Sequence, residues 1–166
     1  MKVGDRVIYG FQVCEIVDIK PQTIGKIKRD YYVLSPIFDA KNTLYLPTDN
    51  EKLVAKMRKV LSEEEILGLI KSIPKSEGLW IEDDRDRAER YKAIIEKGER
   101  EELVKVIKTL FQRRETLKTQ GRKLHTVDEN LLTRAEKMLH EEFALVLGIG
   151  KDEVAPFIAG QISALE

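Results

Sequence analysis

The sequence predicts an α+β protein: a small five-stranded antiparallel β-barrel or half-barrel in residues 1–60, then an all-α bundle of four to five helices in residues 61–166. Within the first sixty residues, short alternating apolar runs recur about every ten residues, with glycine and proline between them. From Ser62 onward, apolar residues recur at helical spacing instead. Five short strands without a covering helix have to curl in order to bury one face.

The strands are predicted from runs rich in β-branched and aromatic residues. These runs are residues 3–9, 13–19, 31–36, 43–47 and 53–60. Ile24 to Lys26 is predicted to form the tip of a hairpin. Cys14 is the only cysteine and lies in an alternating apolar run, which excludes an internal disulfide and predicts a core residue.

Start and stop signals predict the helices. The predicted spans are Ser62 to Pro74, Asp83 or Asp84 to Gly98, residues 101–119, Thr126 to Gly148 and residues 152–165. Ser62 with Glu65 is predicted to form a capping box, and Thr126 with Glu129 a second one. Pro156 is expected in the first turn of the last helix.

Charge is segregated although the formal net charge is zero. Between Lys105 and Lys123 the only acidic residue is Glu115. The basic residues of this run are Lys105, Lys108, Arg113, Arg114, Lys118, Arg122 and Lys123. Such a run is either one solvated helix face or a surface for a polyanion, whose phosphates would give affinity without reading sequence.

Trp80, the only tryptophan, lies in a polar and charged stretch after Pro74 and Gly78. A large indole in this setting is either buried between two domains or exposed as a contact residue. An exposed aromatic beside a cationic surface could insert at a base step or stack on an unpaired base.

Evidence for an enzyme is weak in this sequence. His125 and His140 are too far apart to suggest a site, and no common catalytic motif occurs. We expect no catalytic residue, metal, cofactor or small-molecule substrate. Without a long apolar run or a leader, the expected location is the cytoplasm and no membrane partner is expected.

The opening KVGDRVIYGFQVCEIVDI, the hairpin QTIGKIKRDYYVL and the stretch LPTDN resemble the RNA-polymerase-interacting module of the CarD family. This module is a Tudor-like β-barrel that also occurs in transcription-repair coupling factor. SEEEILGLIKSIP, Trp80, ERYK, FQRRETLK and LLTRAEKMLHEEFALVLG follow in the order of the family's helical DNA-binding module. The resemblance covers about residues 1–149, and the tail past Gly150 lies outside it.

The resemblance implies two partners. The barrel would dock on the β1 lobe of the RNA polymerase β subunit, with Gln22, Thr23, Ile24 and Tyr45 at the contact. Gln22 and Tyr45 stand where other members carry arginine, so we expect a different polymerase surface or affinity.

The helical module would touch double-stranded promoter DNA at the upstream edge of the bubble, with Trp80 as a minor-groove wedge. Basic residues would meet the phosphates: Arg87, Arg90 and Lys92 by resemblance, and Arg113, Arg114, Arg122 and Lys123 from the cationic run. The acidic stretch after Trp80 would weaken this contact. The alternative is a protein-only adaptor in which the barrel binds its partner and Trp80 is buried between modules.

Overall fold

The computed structural model describes residues 1–39 and 41–165, which fold as two units that meet in the sequence between Leu61 and Ser62. The first unit is a five-stranded antiparallel sheet in the order β4-β3-β2-β1-β5. Its strands are β1 Arg6–Tyr9, β2 Gln12–Ile24, β3 Ile27–Pro36, β4 Leu44–Pro47 and β5 Arg58–Lys59. The second unit is helical, so the predicted α+β class is confirmed.

The hairpin of β2 and β3 is the longest feature of the sheet. A two-residue turn joins Ile24 to Ile27, and Gly25 adopts φ +66° there, a conformation that glycine accepts without steric cost. Because β1 pairs only with residues 12–15 of β2, and β4 only with residues 31–34 of β3, the outer part of the hairpin extends beyond its neighbours. The predicted hairpin tip is confirmed.

The predicted strand at residues 53–60 is wrong over its first half. Residues Glu51–Val54 form a single helical turn, α1, in which the Asn50 side chain accepts a hydrogen bond of 3.2 Å from the Leu53 amide. Only β5 remains as strand. A local side-chain cap therefore outweighs the strand propensity of the apolar residues here.

One face of the sheet carries a buried core cluster. Its buried members are Val7, Cys14, Ile16, Leu34, Leu46 and Met57. Cys14 is fully buried, as its place in the alternating run predicts. This core gives the unit its own hydrophobic interior.

The helical unit contains α2 Glu63–Ser72, α3 Asp84–Lys97, α4 Arg100–Thr119, α5 Thr126–Leu147 and α6 Lys151–Ser163. A short 3₁₀ turn, Ile73–Lys75, follows α2. Ser62 and Glu65 form the predicted capping box, with bonds of 3.1 and 2.8 Å. Asp83 caps α3, and Gly98 ends it in the left-handed conformation. Within residues 1–39 and 41–165, no helix is long and apolar enough to cross a bilayer.

Two predictions about helix ends are wrong. Thr126 is the first residue of α5, and the N-cap is His125, whose side chain makes no capping bond. Asp128 is instead buried and bonded to Arg87. Pro156 is the sixth residue of α6 rather than part of its first turn.

Candidate functional site

Trp80 lies in a segment without helix or strand, residues 76–83, between the 3₁₀ turn and α3. The preceding residue, Leu79, is fixed on both sides of its backbone. Its amide donates to Thr109 Oγ1 at 2.8 Å, and its carbonyl accepts from the Tyr91 hydroxyl. Burial raises the pKa of Tyr91 to about 12, so the phenol remains a neutral donor at physiological pH.

Lys108 holds the beginning of the same segment. Its Nζ donates to the carbonyls of Ile73 and Ser76, each at 2.8 Å. These carbonyls belong to a helix end and a loop, where backbone acceptors lack helical partners. Lys108 therefore binds the protein's own backbone, and α3 and α4 together hold residues 73–81 in place.

The Trp80 ring is half-buried and contacts two arginines. The guanidinium carbon of Arg87 lies 4.5 Å from the ring centroid, and that of Arg113 lies 4.9 Å from it. Cation–π contacts of this kind contribute about 0.5–2 kcal/mol, with the larger values where water is excluded. Trp80 is thus neither a core residue nor a freely exposed one.

Arg87 is only 2% exposed, and its donors are engaged. Nε and Nη2 donate to the two carboxylate oxygens of Asp128 at 3.0 and 2.8 Å, and Nη2 also donates to Asp84 at 2.8 Å. Nη1 donates to the Ile81 carbonyl at 2.9 Å. The bonds to Asp128 raise the pKa of Arg87, and the bond from Arg87 lowers the pKa of Asp84. This geometry argues against the expected phosphate contact by Arg87.

Three cationic residues stay accessible around Trp80: Arg113, Arg122 and Lys123. They line a small cleft of about 100 Å³ together with the indole. Arg122 and Lys123 also line a neighbouring groove of about 400 Å³, to which Arg114 contributes. In the described part of the chain, Arg113, Arg122 and Lys123 form no salt bridge with a carboxylate.

The rest of the cationic run is largely neutralised. Lys105 pairs with Glu102 at 3.1 Å and Lys118 with Glu115 at 3.3 Å. Arg114 pairs with Glu129 at 3.3 Å and stacks on Phe111. The sequence therefore overstates the charge of this face, which is concentrated at the end of α4 and the loop after it.

Two comparisons with family models cover most of the chain. Residues 1–61 match the model of the CarD-like/TRCF RID domain, and residues 75–159 match that of the CarD C-terminal domain. The chain belongs to the CarD family. The second match includes part of α6, which lay outside the resemblance seen in the sequence. A comparison with curated proteins found no match.

CarD proteins are transcription regulators that interact with RNA polymerase, and the family is one of transcription factors rather than enzymes. In this CarD protein, two of the three expected basic contacts on α3 lie apart from the cleft. Arg90 and Lys92 are exposed, but neither lines the cleft at Trp80. Of the residues expected to meet DNA, the structure brings together Trp80, Arg87, Arg113, Arg122 and Lys123. Arg87 differs from the other cations because it is buried and bonded to Asp128.

The expected polymerase contacts of this CarD protein divide between two strands. Gln22 and Ile24 alternate on β2 and share a face with Tyr45 of β4, whereas Thr23 lies on the opposite face. Tyr45 is in register with Val33 of β3 and through it with Asp18 of β2. Because Asp18 and Gln22 are four residues apart on β2, Tyr45 lies roughly 13 Å from Gln22 along the strand direction. Tyr45 is 42% exposed, and Tyr31 supports it at a ring separation of 6.3 Å.

Proposed function

We propose that this CarD protein stabilises the open promoter complex. Its sheet unit binds the β1 lobe of the RNA polymerase β subunit, and its helical unit applies Trp80 to promoter DNA at the upstream edge of the bubble. The observation that carries this proposal is a half-buried tryptophan on a fixed backbone beside Arg113, Arg122 and Lys123, which form no salt bridge in the described chain although Glu82 and Asp84 also line the cleft.

The mechanism requires binding rather than chemistry. Unstacking a base step costs a few kcal/mol, and an indole that fills the gap opposes reannealing. Cations beside the indole hold the backbone through phosphate contacts that do not depend on sequence. A bias of about 1.4 kcal/mol toward the melted form changes its population ratio tenfold.

The proposed polymerase surface is the sheet face with Gln22, Ile24 and Tyr45. Ile24, Ile27 and Tyr45 are 48%, 54% and 42% exposed on this face, which also carries the exposed charged residues Asp18 and Lys20. The hairpin also has open strand edges beyond β1 and β4, which can accept a strand from a partner. Where other members carry arginine, this chain has Gln22 and Tyr45, and the open strand edges allow backbone pairing in addition.

The DNA contact is tested by removing the two accessible cations that do not touch Trp80. In Arg122→Ala/Lys123→Ala, the slope of log affinity against log salt should decrease by about 1.8, because each phosphate contact contributes about 0.9. The control, Lys105→Ala/Lys118→Ala, removes the same charge from residues that pair with Glu102 and Glu115. Fluorescence anisotropy on promoter duplexes measures both slopes. An unchanged slope in the first variant, or an equal decrease in the control, argues against this contact.

A second candidate is a protein-only adaptor that binds polymerase without DNA. The contact of Trp80 with buried Arg87 favours a structural role for the indole. In that case, Trp80→Ala lowers the melting temperature by several degrees, since removing a buried tryptophan costs about 3–5 kcal/mol. It would leave DNA affinity unchanged.

A further inference from the structure

We propose that Arg87 and Asp128 are a positioning pair for Trp80: their buried ion pair sets the orientation of the indole and thereby its effect on the open complex. The inference deepens the proposed function. The effect on the open complex rests on that function, whereas the orientation of the indole does not. Neither residue touches DNA in this scheme. Both act through the indole and the backbone beside it.

The pair connects two helices at the point where the Trp80 segment enters α3. Arg87 lies in the first turn of α3 and Asp128 in the first turn of α5, with side-chain exposures of 2% and 3%. Two parallel hydrogen bonds of 3.0 and 2.8 Å fix the guanidinium plane. The edge of the guanidinium is occupied by these bonds, and its central carbon lies over the indole, 4.5 Å from the ring centroid.

Arg87 also holds the backbone next to the indole. Its Nη1 donates to the carbonyl of Ile81, the residue after Trp80, while Thr109 and Tyr91 bond to Leu79, the residue before it. Backbone on both sides of Trp80 is therefore fixed by buried side chains. An apolar pair of the same volume could fill the space, and often stabilises a fold equally well, but it could not bond to the Ile81 carbonyl.

The chain offers a matched control in a second buried ion pair. Arg100 of α4 donates to both carboxylate oxygens of Glu142 of α5, at 3.1 and 2.7 Å, with exposures of 16% and 2%. Its chemistry and burial resemble those of the Arg87–Asp128 pair. Neither Arg100 nor Glu142 lines the cleft at Trp80.

The first measurement uses the free, full-length protein and does not involve DNA. Trp80 is the only tryptophan, so its fluorescence reports on one site. In Asp128→Asn, acrylamide quenching should rise toward that of a solvent-exposed indole, and fluorescence anisotropy should fall. Glu142→Gln should leave both values at the wild-type level, at temperatures where both variants are folded by circular dichroism.

The second measurement is the lifetime of the open complex with the matching polymerase. Asp128→Asn should shorten the lifetime toward that of Trp80→Ala, and the double variant should be no shorter than Trp80→Ala alone. If Asp128→Asn does not fold, Arg87→Lys serves instead, because lysine keeps the charge but cannot form the bidentate contact or stack as a plane. The same changes are expected for it.

The outcomes separate this inference from the proposed function. Unchanged quenching in Asp128→Asn and Arg87→Lys overturns the positioning role, as does an equal rise in Glu142→Gln. If quenching changes as expected but Trp80→Ala does not alter the lifetime, the positioning role stands and the proposed function fails. An additive loss in the double variant assigns Asp128 an effect independent of Trp80 and also overturns the inference.

Discussion

Trp80 combines features of a structural residue and a contact residue. Arg87, fully engaged with Asp128, supports the ring within the protein, while exposed Arg113 contacts it from the surface. Such support would favour DNA binding by the indole, because a side chain that is ordered before binding loses less conformational entropy on binding. At this scale, the important groups are those that fix the backbone on either side of the ring.

Tyr91 gives a prediction at this scale. Tyr91→Phe leaves the Leu79 carbonyl without its donor and should lower the free energy of unfolding by about 1–3 kcal/mol. Because the folded-state pKa is raised to about 12, above the unfolded value of about 10, the tyrosine contributes stability that is present below pH 10 and is lost as pH rises toward 12. Urea unfolding from pH 8 to 11 measures both effects.

The control for Tyr91 is Tyr45→Phe, since Tyr45 is an exposed residue of the other unit. It should leave stability unchanged at neutral pH. The wild type should lose more stability than Tyr91→Phe as the pH rises above 10. Parallel pH curves for the wild type and Tyr91→Phe would show that the buried hydroxyl is not the cause.

At the scale of elements, local signals were predictable and long-range pairing was not. The hairpin turn at Gly25 and the Ser62 capping box follow from a few adjacent residues, and both are present. The Thr126 box has the same local pattern, but Asp128 pairs with Arg87, 41 residues away, and α5 begins without a side-chain cap.

A signal for the ion pair was nevertheless present in the helical spacing. Arg87 precedes Tyr91 and Ile94 on the buried stripe of α3, and Asp128 precedes Leu131 and Leu132 on that of α5. A charged residue at an apolar position has to find a partner or pay a large desolvation cost. Spacing alone shows that each residue is buried, and only the tertiary fold shows that they pair.

The hairpin carries a prediction for the polymerase contact. Ile24→Asp and Tyr45→Asp each replace an exposed apolar or aromatic side chain of the proposed polymerase surface by a carboxylate, so we expect weaker polymerase binding with little change in melting temperature. Val3→Asp, at a 55% exposed position outside the strands, is the control. Biolayer interferometry with the polymerase β subunit measures the affinities. Equal affinities for all three variants and the wild type would place the contact elsewhere on the protein.

At the scale of the whole molecule, two weak contacts can act together. The net charge of zero and the acidic residues after Trp80 would limit the affinity of the proposed DNA contact by itself. If the sheet unit is bound to polymerase at a promoter, the effective concentration of the helical unit near the bubble becomes high, and a small cationic cluster suffices. The two-unit division was predictable from the change in the spacing of apolar residues at Ser62. The cationic surface was not predictable, because the sequence does not show which basic residues form salt bridges with acidic ones.

The lifetime of the open promoter complex with the matching polymerase tests the account most directly. We predict that the wild-type protein prolongs it and that Trp80→Ala loses most of this effect, by about tenfold for each 1.4 kcal/mol removed, while polymerase affinity stays unchanged. Equal lifetimes for Trp80→Ala and the wild type would contradict the central claim that the indole holds the melted DNA open.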